Sequence, residues 1–164
     1  MRTIPYLRHL IYALFLAVWL GLGVNPAYAA NLNGFAQVRD DGSLSIQGRV
    51  IRLKGIFIPI DERTCRTFIV PARCAAEAVL VLDGLVDGFV HCRANVRYFR
   101  NGTRAFCSIE GDSILDERQD LGALMIRQGF ALASEDAPPQ YRALEKLARA
   151  QERGLWNPGF VNLR

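Results

Sequence analysis

The stretch SLSIQGRVIRLKGIFI, residues 43–58, alternates apolar and polar residues over short distances. In SLSI and RVIRL the alternation is typical of strands that place one face on a core and the other in solvent. The pair Gln47-Gly48 interrupts the stretch and Asp41-Gly42 precedes it, and both pairs are typical of turns. This part of the chain is therefore predicted to form short strands joined by turns.

The middle of the chain predicts a helix followed by two more strands. CAAEAVLVLDGLVDG, which begins at Cys74, indicates a buried helix that ends near Gly84 or Gly88. FVHCRANVRYF and RAFCSI indicate two strands around a turn at Asn101-Gly102.

The C-terminal third predicts two further helices. DLGALMIRQG indicates a helix that Gly129 ends, and Pro138-Pro139 suits the first turn of a last helix. Arg153 and Gly154 suit the end of that last helix, and its apolar stripe is Tyr141, Leu144, Leu147 and Ala148. The order of strands, helix, strands and two helices predicts an α+β fold with a small barrel.

The N-terminus has the three-part pattern of a secretory signal peptide. Arginines begin it, residues 10–24 are apolar, and small residues at Ala27 and Ala29 suit cleavage after Ala29. The alternative is an uncleaved membrane anchor, but the apolar run is short for a span of about 20 residues. We therefore predict a signal peptide over 1–29, a single domain over 30–164, and a secreted or periplasmic protein without a stable membrane span.

Charge and cysteine content limit the function classes. The formal charge is +4, and two of the 20 basic residues lie in the predicted leader. No run of basic residues forms a track that would bind a polyanion. An even number of cysteines behind a leader favours disulfides, with three pairings open among four cysteines. Zinc would need C-x-x-C-type spacing, which the chain lacks. The single histidine after the leader, His91, is predicted to be a strand surface residue.

Several segments between Phe35 and Trp156 resemble the staphylococcal-nuclease-like, or thermonuclease, family. The similar segments are RLKGI, TCRTFIVPARCAAEAVLVL, HCRANVRYFRNGTRAFC, ALMIRQGFAL and YRALEKLARAQERGLW. The resemblance implies a five-stranded OB-type barrel with three helices. It also implies two disulfides, Cys65–Cys74 and Cys92–Cys107.

The resemblance also implies where catalytic residues should lie, and most are replaced. Family members cleave nucleic acid with one calcium ion held by carboxylates, a glutamate that activates water and two arginines that bind phosphate. Arg52 matches the first arginine, and Arg104 is the candidate for the second, with Gly102 or Arg100 in other registers. The first metal aspartate falls on Gly42 or Ser43, the second on Phe57, and the glutamate on Ile60.

The replacements predict that calcium-dependent hydrolysis is lost, because none of these side chains is a carboxylate. The chain would then need no cofactor and would act as a binding or structural module. Its ligand would be an unknown protein or envelope component, with nucleic acid less well supported because Glu135 and Asp136 would repel phosphate. The hydrophobic residues Phe57, Ile58 and Ile60 would then lie at the mouth of the cleft, facing a partner or refilling the hole.

The alternative is an active calcium-dependent nuclease with displaced carboxylates. These would come from Asp40 and Asp41 in the first turn and from Asp61 and Glu62 after the arginine strand. A third hypothesis is a purely structural envelope protein held by two disulfides.

Overall fold

The structure, a computed structural model, describes residues 29–59, 71–86, 88–111 and 118–157, with side chains of the first helix from residue 77 onward. The elements in chain order are β1 (Ala30–Val38), β2 (Leu44–Ile46), β3 (Arg49–Leu53), β4 (Ile56–Phe57), α1 (Pro71–Leu85), β5 (Phe89–Ala94), β6 (Thr103–Ile109), β7 (Gln119–Asp120), α2 (Leu121–Arg127), β8 (Leu132–Ala133), α3 (Pro139–Ala150) and a 3-10 helix (Gly154–Trp156).

Strands β1, β2, β3, β5 and β6 close into a barrel. β1 is long enough to pair antiparallel with β5 through its first six residues and with β2 through its last three. β2 pairs antiparallel with β3, and β5 pairs antiparallel with β6. A parallel pairing between β3 and β6 closes the barrel. The predicted α+β fold, a five-stranded OB-type barrel with three helices, is confirmed.

Alternation along the strands fills the barrel interior. Leu44 and Ile46 of β2 and Ile51 of β3 are fully buried, whereas Arg52 between the inward positions of β3 is exposed. Apolar side chains at every second position therefore give these short strands one buried face, as the pattern in residues 43–58 predicts. Leu82 of α1 is also fully buried against this core.

One disulfide links the neighbouring barrel strands β5 and β6. Cys92 of β5 and Cys107 of β6 are directly opposite each other, with their Cα atoms 4.0 Å apart, and both are buried. This confirms one of the two predicted pairs. Cys65 and the side chain of Cys74 lie outside the described residues, so the second pair stays a prediction.

Asp120 joins α2 to α3. Its carboxylate accepts a hydrogen bond from the Ala123 N–H at 2.8 Å, which caps α2, and another from the Tyr141 hydroxyl at 2.5 Å. Burial and the neighbouring carboxylate both raise the pKa of Tyr141 far above its usual value. A Cβ atom at Gly122 would lie 2.7 Å from the Tyr141 oxygen, so glycine permits this close approach of the two helices.

A two-stranded ribbon outside the barrel was not predicted. β4 pairs with β8, and the Ser134 N–H donates to the Gly55 carbonyl at 3.1 Å just beyond the pair. Glu145 of α3 supports the ribbon by accepting from the Ala133 N–H at 2.8 Å. The ribbon brings the acidic turn at residues 135–136 back to the end of β3.

Other element ends differ from the sequence prediction. The helix predicted from Cys74 begins at Pro71 and ends at Leu85, and the strand predicted to reach Phe99 ends at Ala94. The last helix ends at Ala150, before the predicted Arg153, since Glu152 already has a left-handed φ of 50°. Of its predicted stripe, Leu147 is 45% exposed.

The predicted signal peptide cannot be compared with the fold, because residues 1–28 lie outside the described residues. No helix in the described part of the chain has the length and apolarity that a bilayer crossing requires.

Candidate functional site

Two arginines stand side by side where the barrel closes. In the parallel pairing of β3 with β6, Arg52 is opposite Arg104. Their strand neighbours Ile51 and Ala105 are buried, so alternation directs both arginines to the outer face, where they are exposed. The two candidate arginines are thus brought together although 52 positions separate them in the chain.

A groove of about 300 Å³ contains both arginines, and we name it the arginine cleft. The groove is lined by residues of the turn between β1 and β2, by β3 and β6, and by β4 with the residue after it. Its lining is Asp41, Gly42, Arg52, Leu53, Ile56, Phe57, Ile58 and Arg104.

The two alternatives for the second arginine position, Gly102 and Arg100, lie elsewhere in the structure. The Gly102 N–H donates to the Val50 carbonyl at 2.7 Å and its φ is 80°, so Gly102 is a turn residue. Arg100 lies over the ring of Tyr98, 4.6 Å from the centroid. Neither is among the described residues that line the arginine cleft, whereas Arg104 is.

Asp41 is tied into its own turn. Its Oδ1 atom accepts hydrogen bonds from the Ser43 hydroxyl and from the Ser43 N–H at 3.1 Å, and Arg39 Nε lies 3.8 Å away. The Ser43 hydroxyl is the main reason why the pKa of Asp41 lies below its usual value; desolvation opposes the shift, and the Ser43 N–H, Arg39 and Arg52 reinforce it. Asp41 is therefore an ionised carboxylate with one oxygen already engaged.

The residues at the expected first metal position cannot supply a carboxylate. Gly42 has no side chain and is buried with a φ of 67°. Ser43 is fully buried, and its hydroxyl is used by Asp41. Asp40, a weak metal candidate, is exposed and is not among the described lining residues.

An apolar wall replaces the expected second carboxylate. Phe57 is 43% exposed at the cleft, and Ile56 and Ile58 on either side are half-buried. Ile60, Asp61 and Glu62, the other residues predicted to matter in this loop, lie outside the described residues.

Charges of both signs surround the arginines. Lys54 follows Arg52 on the outer face of the chain and its Nζ lies 5.4 Å from the centroid of the Phe106 ring. On the ribbon side, Asp136 accepts from the Ser134 hydroxyl at 2.5 Å, which is the main reason why the pKa of Asp136 is lowered; Arg104 and Lys54 add to the shift. Asp41 therefore lines the arginine cleft, and Asp136 lies close enough to Arg104 for that charge to lower its pKa.

The described donor set does not fit calcium. Ca²⁺ takes about 6–8 oxygen ligands, usually with several carboxylates. Asp41 is the one carboxylate among the described lining residues of the arginine cleft. Across the described ranges, no group of three His, Cys, Asp or Glu side chains could hold a metal ion.

A larger groove of about 530 Å³ lies on the outer face of β1, β5 and β6, and includes His91, Arg118 and Asp120. These three side chains are engaged with protein groups. His91 Nε2 lies 3.1 Å and Arg118 Nε 4.0 Å from Oε1 of Glu110, and Asp120 holds α2 and α3 together. By contrast, no described carboxylate lies within 4.0 Å of the guanidiniums of Arg52 or Arg104.

Sequence reasoning did not assign Ile56 to the cleft, nor Lys54 to the charges near it. A signal was present for Lys54, because it follows Arg52 with the spacing of two that is typical of one face of an extended segment. For Ile56 no local signal exists, since its position depends on the pairing of β4 with the distant β8.

Comparison of the sequence with models of known protein families gives no match, and comparison with curated proteins gives none either.

Proposed function

We propose that this chain is a thermonuclease-like domain that binds an anion in the arginine cleft and does not hydrolyse phosphodiesters with calcium. One observation carries the proposal. Arg52 and Arg104 are paired and exposed in a groove whose lining has Gly42 and Phe57 at the two positions where the resemblance implies metal-binding aspartates. Two groups suited to phosphate are thus present, whereas Asp41 is the one carboxylate in the described lining, fewer than calcium usually needs.

The geometry suits oxyanion binding. A guanidinium presents several N–H donors in a plane and binds carboxylate or phosphate through paired hydrogen bonds. Because Arg52 and Arg104 occupy opposite positions of adjacent strands, one oxyanion can receive donors from both. The proposal requires no cofactor, and the protein partner or envelope ligand stays open.

We also propose secretion or a periplasmic location. The support is the N-terminal pattern of residues 1–29 together with the Cys92–Cys107 disulfide, since disulfides persist mainly in oxidising compartments.

The first test is a digestion assay with plasmid and single-stranded DNA, in calcium and in chelator. We expect no calcium-dependent cleavage at high protein concentration. In parallel, inorganic phosphate should shift the NMR signals of the Arg52 and Arg104 side-chain N–H groups, and Arg52→Gln should weaken this binding by about tenfold or more, the loss of one charged hydrogen-bonding group. Calcium-dependent cleavage that disappears in Arg52→Ala would contradict the proposal.

One observation favours the alternative, an active nuclease with displaced carboxylates. Asp41 lines the arginine cleft and is held ionised, so one carboxylate is present. Asp61 and Glu62, which would have to join it, lie outside the described residues. The alternative predicts that Asp41→Asn abolishes cleavage in the same assay.

A further inference from the structure

The arginine cleft combines paired cations with an apolar wall, and this combination defines a class of ligand. We propose that its ligand is a small amphipathic anion, with one carboxylate or phosphate on Arg52 and Arg104 and an attached apolar group against Ile56, Phe57 and Ile58. This inference rests on the proposed function and specifies the chemistry of its ligand.

The apolar wall supplies the first argument. Phe57 keeps 43% of its surface exposed although it lies within a strand pair, and half-buried isoleucines flank it. An apolar ligand group that covers these side chains removes their surface from water, which is favourable by roughly 0.8 kcal/mol for each methylene group buried. An inorganic anion would leave this surface exposed.

The distribution of charge supplies the second argument. Asp41 lines the cleft together with Arg52 and Arg104, and Asp136 is near enough to Arg104 for that charge to lower its pKa. A nucleic acid strand or another extended polyanion would bring further phosphates towards these carboxylates, and like charges repel. A single anionic group needs only the centre of the site, where the arginines are.

The size of the site supplies the third argument. The volume of about 300 Å³ is at the lower end of the range of small-molecule pockets, about 300–1,000 Å³. It suits a head group with a short apolar group rather than a folded partner domain.

The test is a chain-length series measured by calorimetry on the protein with intact disulfides. The probes are acetate, butanoate, hexanoate and octanoate, with octyl phosphate and inorganic phosphate as the phosphate arm and hexanol as the neutral control. We expect affinity to rise with each methylene that reaches the wall, by up to about fourfold per group. Hexanol should bind more weakly than hexanoate because it lacks the charge.

Matched variants separate the two halves of the site. Phe57→Thr should flatten the chain-length series, whereas Arg104→Gln should weaken the binding of the alkyl anions and of phosphate by about tenfold. Phe89→Thr is the control for the first, because Phe89 is 42% exposed on β5 and is not among the described residues that line the cleft. Arg93→Gln, an exposed arginine of β5 in the other groove, is the control for the second.

The outcomes distinguish this inference from the proposed function. Phosphate binding that needs Arg104, with no effect of chain length, overturns the inference and leaves the proposed function standing. A short single-stranded oligonucleotide that binds more tightly than octyl phosphate also overturns it. If none of the anions binds, both proposals fail. A chain-length dependence that disappears in Phe57→Thr but persists in Phe89→Thr supports the inference.

Discussion

Asp41 shows how a charged turn residue at the arginine cleft can have one of its two carboxylate oxygens engaged by its own turn. Its Oδ1 atom is occupied by two groups of Ser43, and Arg39 is close by. The negative charge thus first stabilises the turn between β1 and β2, which places Gly42 in the lining of the cleft.

This arrangement predicts a pH dependence for Asp41→Asn, which removes the charge and keeps an oxygen acceptor. Because contacts of the folded state lower the pKa of Asp41 below its usual value of 3.8, the carboxylate stabilises the fold above about pH 3.8, and this contribution is lost as the pH falls through the lower, folded-state pKa. The variant should be less stable at pH 7, by at most about 1 kcal/mol because the side chain is largely exposed.

The measurement is the melting temperature of both proteins between pH 2.5 and 7. The difference between them should shrink below about pH 3.8, the usual aspartate value. Asp40→Asn is the matched control, since it removes the same charge from an exposed neighbour without the hydrogen bonds to Ser43. A difference that grows on acidification would contradict the prediction.

At the scale of elements, α2 and the 3-10 helix are held together through two glycines. Gly129 ends α2 with a φ of 82°, and its carbonyl accepts from the Leu155 N–H at 3.1 Å. A Cβ atom at Gly129 would lie 2.1 Å from the Arg153 carbonyl oxygen, and one at Gly154 would lie 2.5 Å from the Gln128 carbonyl oxygen. The two segments can approach this closely only because both positions lack a side chain.

Gly129→Ala is therefore expected to lower the free energy of unfolding by more than backbone strain alone would lower it. Gly48→Ala is the matched control, because Gly48 has a similar φ of 74° but no atoms within 4 Å of an added Cβ. We expect Gly48→Ala to lose about 1–2 kcal/mol from the left-handed conformation, and Gly129→Ala to lose about 1–3 kcal/mol more from the clash. Urea unfolding measures both, and equal losses would show that the contact with Arg153 is unimportant.

Element by element, the sequence predicts what periodicity can encode. The alternation around residues 43–58 predicts β2, β3 and the exposure of Arg52, and the helical patterns predict all three helices. β4 and β8 have two residues each, which is too short for any period, so their pairing and the position of Ile56 could not be predicted. The strand that was predicted to reach Phe99 ends at Ala94, because the residues that follow, with the apolar Val96 and Phe99, form a loop.

The site was also predictable only in part, because periodicity encodes the face on which a residue lies but not its neighbours from distant parts of the chain. Alternation directs Arg52 to the outer face, but that Arg104 lies beside it follows from a parallel pairing between strands far apart in the chain. The proximity of Asp136 depends in turn on the unpredicted ribbon. Long-range pairing has no local signal in a single sequence.

At the scale of the whole molecule, the Cys92–Cys107 bond should be a main source of stability. It joins residues 15 positions apart, and a loop of about this length stabilises by roughly 2–4 kcal/mol, largely by restricting the unfolded chain. Replacing both residues by alanine should lower the free energy of unfolding by this amount and the melting temperature by about 10 °C.

The same double variant also isolates the second predicted pair. Reductant added to it can act only on a bond between Cys65 and Cys74, so a further fall in melting temperature is expected. A double variant as stable as the original protein would contradict the role given to Cys92–Cys107.

The parallel pairing of β3 with β6 has a consequence for how recognition and folding are linked. Three residue pairs close the barrel there, and the central pair is Arg52 with Arg104. Without an anion, two like charges face each other across this closure and weaken it. The proposed anion, once bound, would replace that repulsion by a bridge between the strands and would thereby stabilise the barrel. Ligand binding in the cleft and closure of the barrel would then be thermodynamically coupled. A ligand that binds both arginines would raise the free energy of unfolding.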